Sequence, residues 1–391
     1  MWNKRSINLT LAFAGLIIAF SLLELGARLL PPPYNHTDLA HICSHELGWR
    51  GAPNYEGLFG AGEYQERLKH NSAGMHDTGH ATAKPAQTYR ILMLGDSFTW
   101  AAHVPEAETA HQRLENLLNA QDPAASYEVI SAAITGWSTG QQLLYYRAEG
   151  RFYQPDLVIL MLYIGNDIIG NLPGEGRTLN GRNCFAPYFP LCQGRLDPDP
   201  WLYAPGLPPA QGQCSPLHKA LAAGLGRLYQ ASALYTRLEP LFAAQRPRSS
   251  QTPYYPLYLP EPNPLFDYAW QLTLALIQQL DREVSQDGAR LLVVLIPPAD
   301  VVNMARMEPA QLEVIYQKVP ELRQAQPDLP HQKLAAALSA TDIAVLDLQP
   351  HFIDQLNAAG EMLYCPEDKH WNRAGNYLAA ELMARFILAK P

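Results

Sequence analysis

The stretch Tyr89-Arg90-Ile91-Leu92-Met93-Leu94-Gly95-Asp96-Ser97-Phe98 decides the fold. Its apolar part has the length of a strand and stops at a glycine, and a serine opens the next pattern. Similar apolar runs recur at residues 127–133, 157–164, 291–296 and 344–348. Between and after them, helical spacing marks residues 106–119, 139–152, 266–286, 311–324, 331–340 and 373–388. Strands that are apolar on both faces and alternate with helices predict a parallel sheet covered on both sides. The expected class is α/β, a three-layer α/β/α sandwich around five parallel strands.

In such a sheet the ligand crevice lies at the carboxyl ends of the strands, so the loops there are the places to search. Ser97 follows the first strand, at a turn where its hydroxyl is exposed beside free helix N-terminal amides. Gly136 follows the second and lets backbone approach a ligand closely. Asn166 follows the third and carries an amide that can donate to an oxyanion. The last element, Glu367-Asp368-Lys369-His370-Trp371-Asn372, supplies an imidazole as general base and carboxylates to orient it. Singly, each has a plainer reading, such as a helix-capping serine or a solvated Asp/His turn. Together they fall on one sheet edge.

In that order the motifs resemble the SGNH/GDSL hydrolase superfamily. Gly95-Asp96-Ser97 looks like its nucleophile block, Gly136 its second-block glycine, Gly165-Asn166-Asp167 its third block and Asp368-Lys369-His370 its terminal block. The resemblance implies a five-stranded, flavodoxin-like sheet, Ser97 as nucleophile, His370 as general base and Asp368 as orienting acid. It also implies the Ser97 N–H, the Gly136 N–H and the Asn166 side chain as oxyanion donors. Asn71-Ser72-Ala73-Gly74-Met75 resembles a lead-in of membrane-anchored bacterial members related to alginate O-acetylation proteins, where His76 stands in place of an arginine. Archetypal members place the acid three residues before the histidine, which would select Glu367; the Asp-x-His spacing of the O-acetylation relatives selects Asp368. The serine lacks the second glycine of Gly-x-Ser-x-Gly, which argues against an ordinary α/β-hydrolase.

The N-terminus is of another character. Lys4 and Arg5 precede an apolar run from Ile7 to Leu30 that ends at Pro31, Pro32 and Pro33. Its 24 residues exceed the roughly 20 that span a bilayer, and the preceding cations place the N-terminus inside. An uncleaved signal anchor is favoured over a cleaved signal peptide, and both over a buried helix of a cytoplasmic protein. The expected organisation is a membrane helix over 1–33, an irregular lead-in over 34–88, and a hydrolase domain over 89–391. An insertion at about 168–264, with one or two helices in 216–242, is expected to cap the site.

Composition narrows the partners. Over 391 residues, Lys and Arg total 29 against 37 Asp and Glu, a net charge of −8, so nucleic acid is excluded as a partner. No Gly-x-x-x-x-Gly-Lys or Gly-x-Gly-x-x-Gly is present, and no cofactor or metal is expected. His41, Cys43 and His45, or His76 and His80, lack a matching half-site and read as loop residues. Five cysteines form no CxxC pair; in an oxidising compartment Cys184 and Cys192 can close a short loop. Trp100, Trp137 and Trp371 flank the site and are candidates for an acyl pocket, and the aromatics between Tyr254 and Trp270 read mainly as packing for the insertion. The leading expectation is a serine esterase outside the bacterial cytoplasmic membrane, single-pass, acting on an acylated carbohydrate or small ester. The alternatives are an O-acyltransferase with the same residues and a non-catalytic glycan-binding protein.

Overall fold

The computed structural model describes residues 4–30, 38–60, 62–180, 182–204, 214–243 and 253–389. Its central sheet holds five parallel strands: β1 (Thr88–Gly95), β2 (Ser126–Ala133), β3 (Leu157–Tyr163), β4 (Arg290–Ile296) and β5 (Ala344–Asp347). Their spatial order is β2-β1-β3-β4-β5. This is the flavodoxin-like order, with its reversal between β1 and β3. Parallel register there pairs Ile91 with Leu157 and Leu94 with Leu160.

Period-two alternation divides the strand residues between two cores. Leu92, Leu94, Leu160 and Val293 face one layer, with α3 (Thr139–Ala148) and α6 (Pro264–Gln286). Ile91, Met93, Ile159 and Val294 face the other, with α2 (Ala110–Gln121), α7 (Gln349–Ala359) and α8 (Arg373–Ala389). Helix α6 shows why the sequence folds as it does. Asn263 caps it, Pro264 opens it, and Phe266, Ala269, Leu272, Leu276, Leu280 and Val284 bury one face at spacings of three and four.

Proline also explains where the periodicity misleads. The helix expected over 311–324 is Pro309–Lys318 followed by a separate 3-10 turn, Pro320–Gln324, because Pro320 cannot donate the next helical bond. Helix α7 was not anticipated; Pro350 stands in its first turn, where the missing N–H breaks no helical bond.

Helix α1 (Lys4–Leu29) is long and apolar enough to cross a membrane, and none of its apolar window is buried in the protein, which removes the buried-helix reading. Pro31, Pro32 and Pro33 lie outside the described residues. The lead-in is more ordered than its sequence implies: His41–Ser44 pairs antiparallel with Gly48–Gly51, and Glu56–Phe59 with Glu66–Lys69. Within the stretch at 168–264 lie a hairpin (Gly176–Leu179 with Arg182–Phe185) and two helices, α4 (Pro216–Ala231) and α5 (Ala233–Ala243). The proposed Cys184–Cys192 loop is corrected: Cys184 pairs with Cys43, and Cys192 with Cys214. Cys184 sits in the hairpin strand packed beside the lead-in strand His41–Ser44, so the nearer thiol belongs to Cys43, with a Cα separation of 5.3 Å.

The lead-in is latched to the sheet by buried polar groups. The Asp77 carboxylate accepts the Ser131 N–H at 2.8 Å and lies 3.2 Å from His111 Nε2. Burial pushes its pKa up, but His111 and His80 outweigh burial and hold it well below the usual range. His76 is buried with Nδ1 2.7 Å from the Trp100 carbonyl oxygen, just behind Ser97–Trp100, and burial pushes its pKa down to about 4. The folded chain therefore refuses a proton that an unfolded histidine accepts near pH 6.5. Stability from this residue is complete above that pH and is lost as pH falls from about 6.5 to 4, a total of roughly 3 kcal/mol. Urea unfolding of a His76→Gln variant should accordingly show a shallower pH dependence over that interval than the parent; equal slopes would remove His76 from the account.

Candidate active site

Strand β1 turns at Gly95 into a short helix, Ser97–Trp100. No side chain fits at 95, where a Cβ would lie 2.1 Å from Thr99 Oγ1. Asp96 caps the turn by accepting the Phe98 N–H at 2.9 Å, which leaves the Ser97 N–H at the helix start. Neither that amide nor the Gly136 N–H is taken by another described residue.

His370 reaches Ser97 from the far end of the chain, on a loop pinned by the Tyr364–Trp371 bridge. Its Nε2 lies 2.7 Å from Ser97 Oγ, and its Nδ1 is hydrogen-bonded to Asp368 Oδ1. Lys369 between them takes φ +70°, a left-handed turn that folds the carboxylate back onto the imidazole. Glu367, the other candidate acid, is exposed, and among the described residues only its backbone N–H is engaged, by Glu63.

Three groups that the sequence reading missed surround Asp368. The buried His103 ring stacks on His370 with centroids 4.1 Å apart, and its Nε2 lies 3.2 Å from Asp368 Oδ1. The Tyr64 hydroxyl donates to Asp368 Oδ2 at 3.0 Å, and the Glu63 carboxylate accepts the Asp368 N–H at 2.6 Å. Burial pushes Asp368 up, but hydrogen bonds with His103 and His370 dominate and hold its carboxyl well below the usual range. Burial likewise holds the His103 pKa down. Nothing in local sequence marks these partners; Tyr64 lies 304 positions from Asp368.

Beneath the serine, Asn166 donates one amide hydrogen to the buried Asp96 carboxylate at 2.9 Å. Asp167 is also fully buried and accepts the Tyr163 N–H; burial and the neighbouring Asp96 push its pKa well above normal. Gly136 has φ +73°, and the Arg177 guanidinium closes over it, 2.8 Å from where a Cβ would stand. Arg177 is itself placed by Thr135 Oγ1 at 3.1 Å and by the Trp49 ring. Ser97, Gly136, Asn166 and His370, with Tyr163 and Arg177, line one cleft of about 540 Å³.

The tryptophans are corrected. Trp100, Trp137 and Trp371 are buried in the cores and do not line this cleft, because each has a better use there. Trp100 donates to His70, Trp137 donates to the Trp49 carbonyl, and Trp371 packs against Phe98 and Phe352. Phe98 and Tyr163 take the positions beside the serine. Among the described residues, His103, Asp368 and His370 form the one group with ligand-type atoms close enough for a metal, within 4.8 Å of one another. Asp368 Oδ1 already serves both imidazoles, so the group is complete as a hydrogen-bonded cluster.

Comparison with known proteins adds a family. Residues 267–391 match the SGNH hydrolase-like domain of the acetyltransferase AlgX, a span that holds Asp368 and His370 and leaves Ser97, Gly136 and Asn166 outside. No curated protein matches by sequence. Among solved structures, a two-domain esterase active on acetylated mannans is 12% identical, with a TM-score of 0.40 over 77% of this chain, and the chain spans about half its length, 49%. An acetyl xylan esterase is 14% identical over 76% of this chain and 99% of its own, with a TM-score of 0.38. An acetylxylan esterase from Geobacillus stearothermophilus is 12% identical over 78% and 96%, with a TM-score of 0.39. At these values the activities belong to those esterases alone, and the functional reading rests on the family match and on the geometry of this chain. The strand order, the sequence of blocks along the chain and the matched terminal segment agree: residues 267–391 are similar to an SGNH hydrolase-like domain, and they bring Asp368 and His370 to the sheet edge that holds Ser97.

Proposed function

We propose that this chain is a serine esterase that hydrolyses O-acyl esters of a carbohydrate or small molecule outside the bacterial cytoplasmic membrane, to which α1 tethers it. The observation that carries the reading is the 2.7 Å approach of His370 Nε2 to Ser97 Oγ, with Asp368 behind the imidazole. Ser97 Oγ attacks the ester carbonyl while His370 takes its proton. The oxyanion rests on the Ser97 N–H, the Gly136 N–H and the second amide hydrogen of Asn166. The alcohol leaves with the proton from His370, and water then releases the acyl group by the reverse sequence. No cofactor takes part in this scheme.

The match to an acetyltransferase domain favours a second reading, in which a sugar hydroxyl replaces water and the product is a new ester. The first half of the reaction is the same. Placement outside the membrane is supported by the disulfides Cys43–Cys184 and Cys192–Cys214, which persist in oxidising compartments, together with the N-terminal helix.

A fluorophosphonate probe applied to the full chain should label Ser97 and no other residue, and Ser97→Ala should lose both labelling and turnover of an acetyl ester with little change in thermal unfolding. Normal turnover by that variant would sink the assignment. Asp368→Asn should lower kcat by about 10³- to 10⁴-fold, whereas Glu367→Gln stays within about threefold of the parent. In a His103→Leu variant the Asp368 carboxyl, followed by ¹³C NMR, should titrate at higher pH than in the parent, because one of its two imidazole partners is gone. An unchanged titration would show that His103 does not hold the charge.

A further inference from the structure

Helix α4 is amphipathic in an unusual sense: the side turned away from the domain is apolar. Leu217, Ala220, Leu221, Gly224 and Leu228 recur at spacings of three and four and form one stripe. Leu217 is 70% exposed, Leu221 48% and Leu228 50%, and Leu238 on α5 is 40% exposed. Ala222 and Gly226, on the other side, are buried.

The C-terminal end of α4 and the start of α5 meet the end of α1. Glu24 accepts the Ala233 N–H at 2.9 Å, the Leu234 N–H at 3.0 Å and the Ser232 hydroxyl at 2.8 Å, and so places a carboxylate on the N-terminus of α5. Arg28 donates to the Ala231 carbonyl at 3.0 Å, at the C-terminus of α4. Arg237 donates in turn to the Ala27 and Leu30 carbonyls at the end of α1. Each charge meets the helix end of opposite sign. The α4–α5 junction is thereby fixed at the level of residues 24–30.

That level can be placed. The uncharged part of the apolar run, from Ile7 to Leu23, rises about 26 Å, against a hydrocarbon thickness of about 30 Å. If α1 spans the membrane, Glu24 and Arg28 stand at the boundary of the hydrocarbon, and the junction stands there with them. Beside it opens a cavity of about 680 Å³ with Arg28, Arg182, Arg227 and Arg237 in its walls. By helical rotation Arg227 flanks the leucine stripe. Arg182 and Arg227 form no ion pair with a described residue.

We infer that the α4–α5 hairpin lies in the lipid–water interface of the membrane that α1 crosses, with Leu217, Leu221 and Leu228 among the upper acyl chains and Arg182 and Arg227 over lipid phosphates. The occupant of the apolar stripe is the bilayer itself. The inference rests on the tether reading given above. It has a consequence for access: Arg177 and Leu179, on one strand of the 176–185 hairpin, line the serine cleft, while Arg182 and Cys184, on the other, line the arginine cavity. The cleft then opens within one hairpin of the membrane surface.

The test uses the full chain in nanodiscs of phosphatidylethanolamine and phosphatidylglycerol, with an environment-sensitive fluorophore on a single introduced thiol. The native cysteines do not compete, being paired or, for Cys365, buried. Leu221→Cys reports the stripe, Leu16→Cys reports α1, and Val314→Cys, exposed on the helix Pro309–Lys318 outside the hairpin, reports water. With nitroxide-bearing lipids, the labels at 16 and 221 should lose emission and the label at 314 should not. Leu217→Cys repeats the measurement should the first stripe variant fold poorly. Quenching at 16 with none at 221 or 217 overturns the inference and leaves the tether standing, whether the stripe label is then aqueous or shielded by a second copy of the chain. Quenching at neither 16 nor the stripe overturns the tether and the inference together.

Discussion

The parallel pairing of β1 with β3, at the centre of the sheet, governs where chemistry can occur in this molecule. Strand order reverses there, so the loops leaving Gly95 and Tyr163 diverge to opposite faces and open a crevice between them. Ser97 stands at one lip and Asn166 at the other, joined through Asp96. Every other contributor is brought to that crevice by a separate device. Gly136 comes on the turn after β2, His370 on a bridged loop before α8, and the Arg177 guanidinium on a hairpin held to the lead-in by the Cys43–Cys184 bond.

The sheet was legible in the sequence because both of its faces are buried. A doubly covered strand must be an unbroken apolar run, and all five runs correspond to strands. The crevice residues were legible for a related reason: strand ends are fixed by those runs, and the residues that follow them occupy known positions in space. What could not be read is long-range and polar. His103, Tyr64 and Glu63 reach Asp368 from loops with no periodicity, and their meeting is a product of tertiary packing. The disulfide partners were misjudged for the same reason, since nearness in sequence between Cys184 and Cys192 says nothing about the lead-in strand that passes beside Cys184. The flanking tryptophans were misjudged because adjacency to Ser97, Gly136 and His370 does not determine which way a side chain faces; all three turn inward to the cores.

Charge is handled in two opposed ways within a few ångströms. Above the serine, Asp368 is ringed by donors that hold it ionised against partial burial. Below it, Asp96 and Asp167 are sealed away from water, and burial raises both. The upper carboxylate is suited to face an imidazolium, and the lower pair to hold backbone in place.

The lead-in hairpins have a consequence for the life of the chain before it is fully folded. The carboxylate that faces His370 is gripped by Tyr64 and His103, its backbone N–H is held by Glu63, and the imidazole lies 273 positions from the hydroxyl it approaches. A partly synthesised or partly folded chain holds the serine with no imidazole, or the imidazole with an ungripped carboxylate. The Ser97–His370–Asp368 arrangement is thus absent until the last helix has docked and the lead-in has met it. On the proposed reading, in which Ser97 is the nucleophile and the chain crosses a membrane unfolded, this order of assembly keeps the nucleophile silent on the side of departure and lets it become competent on arrival.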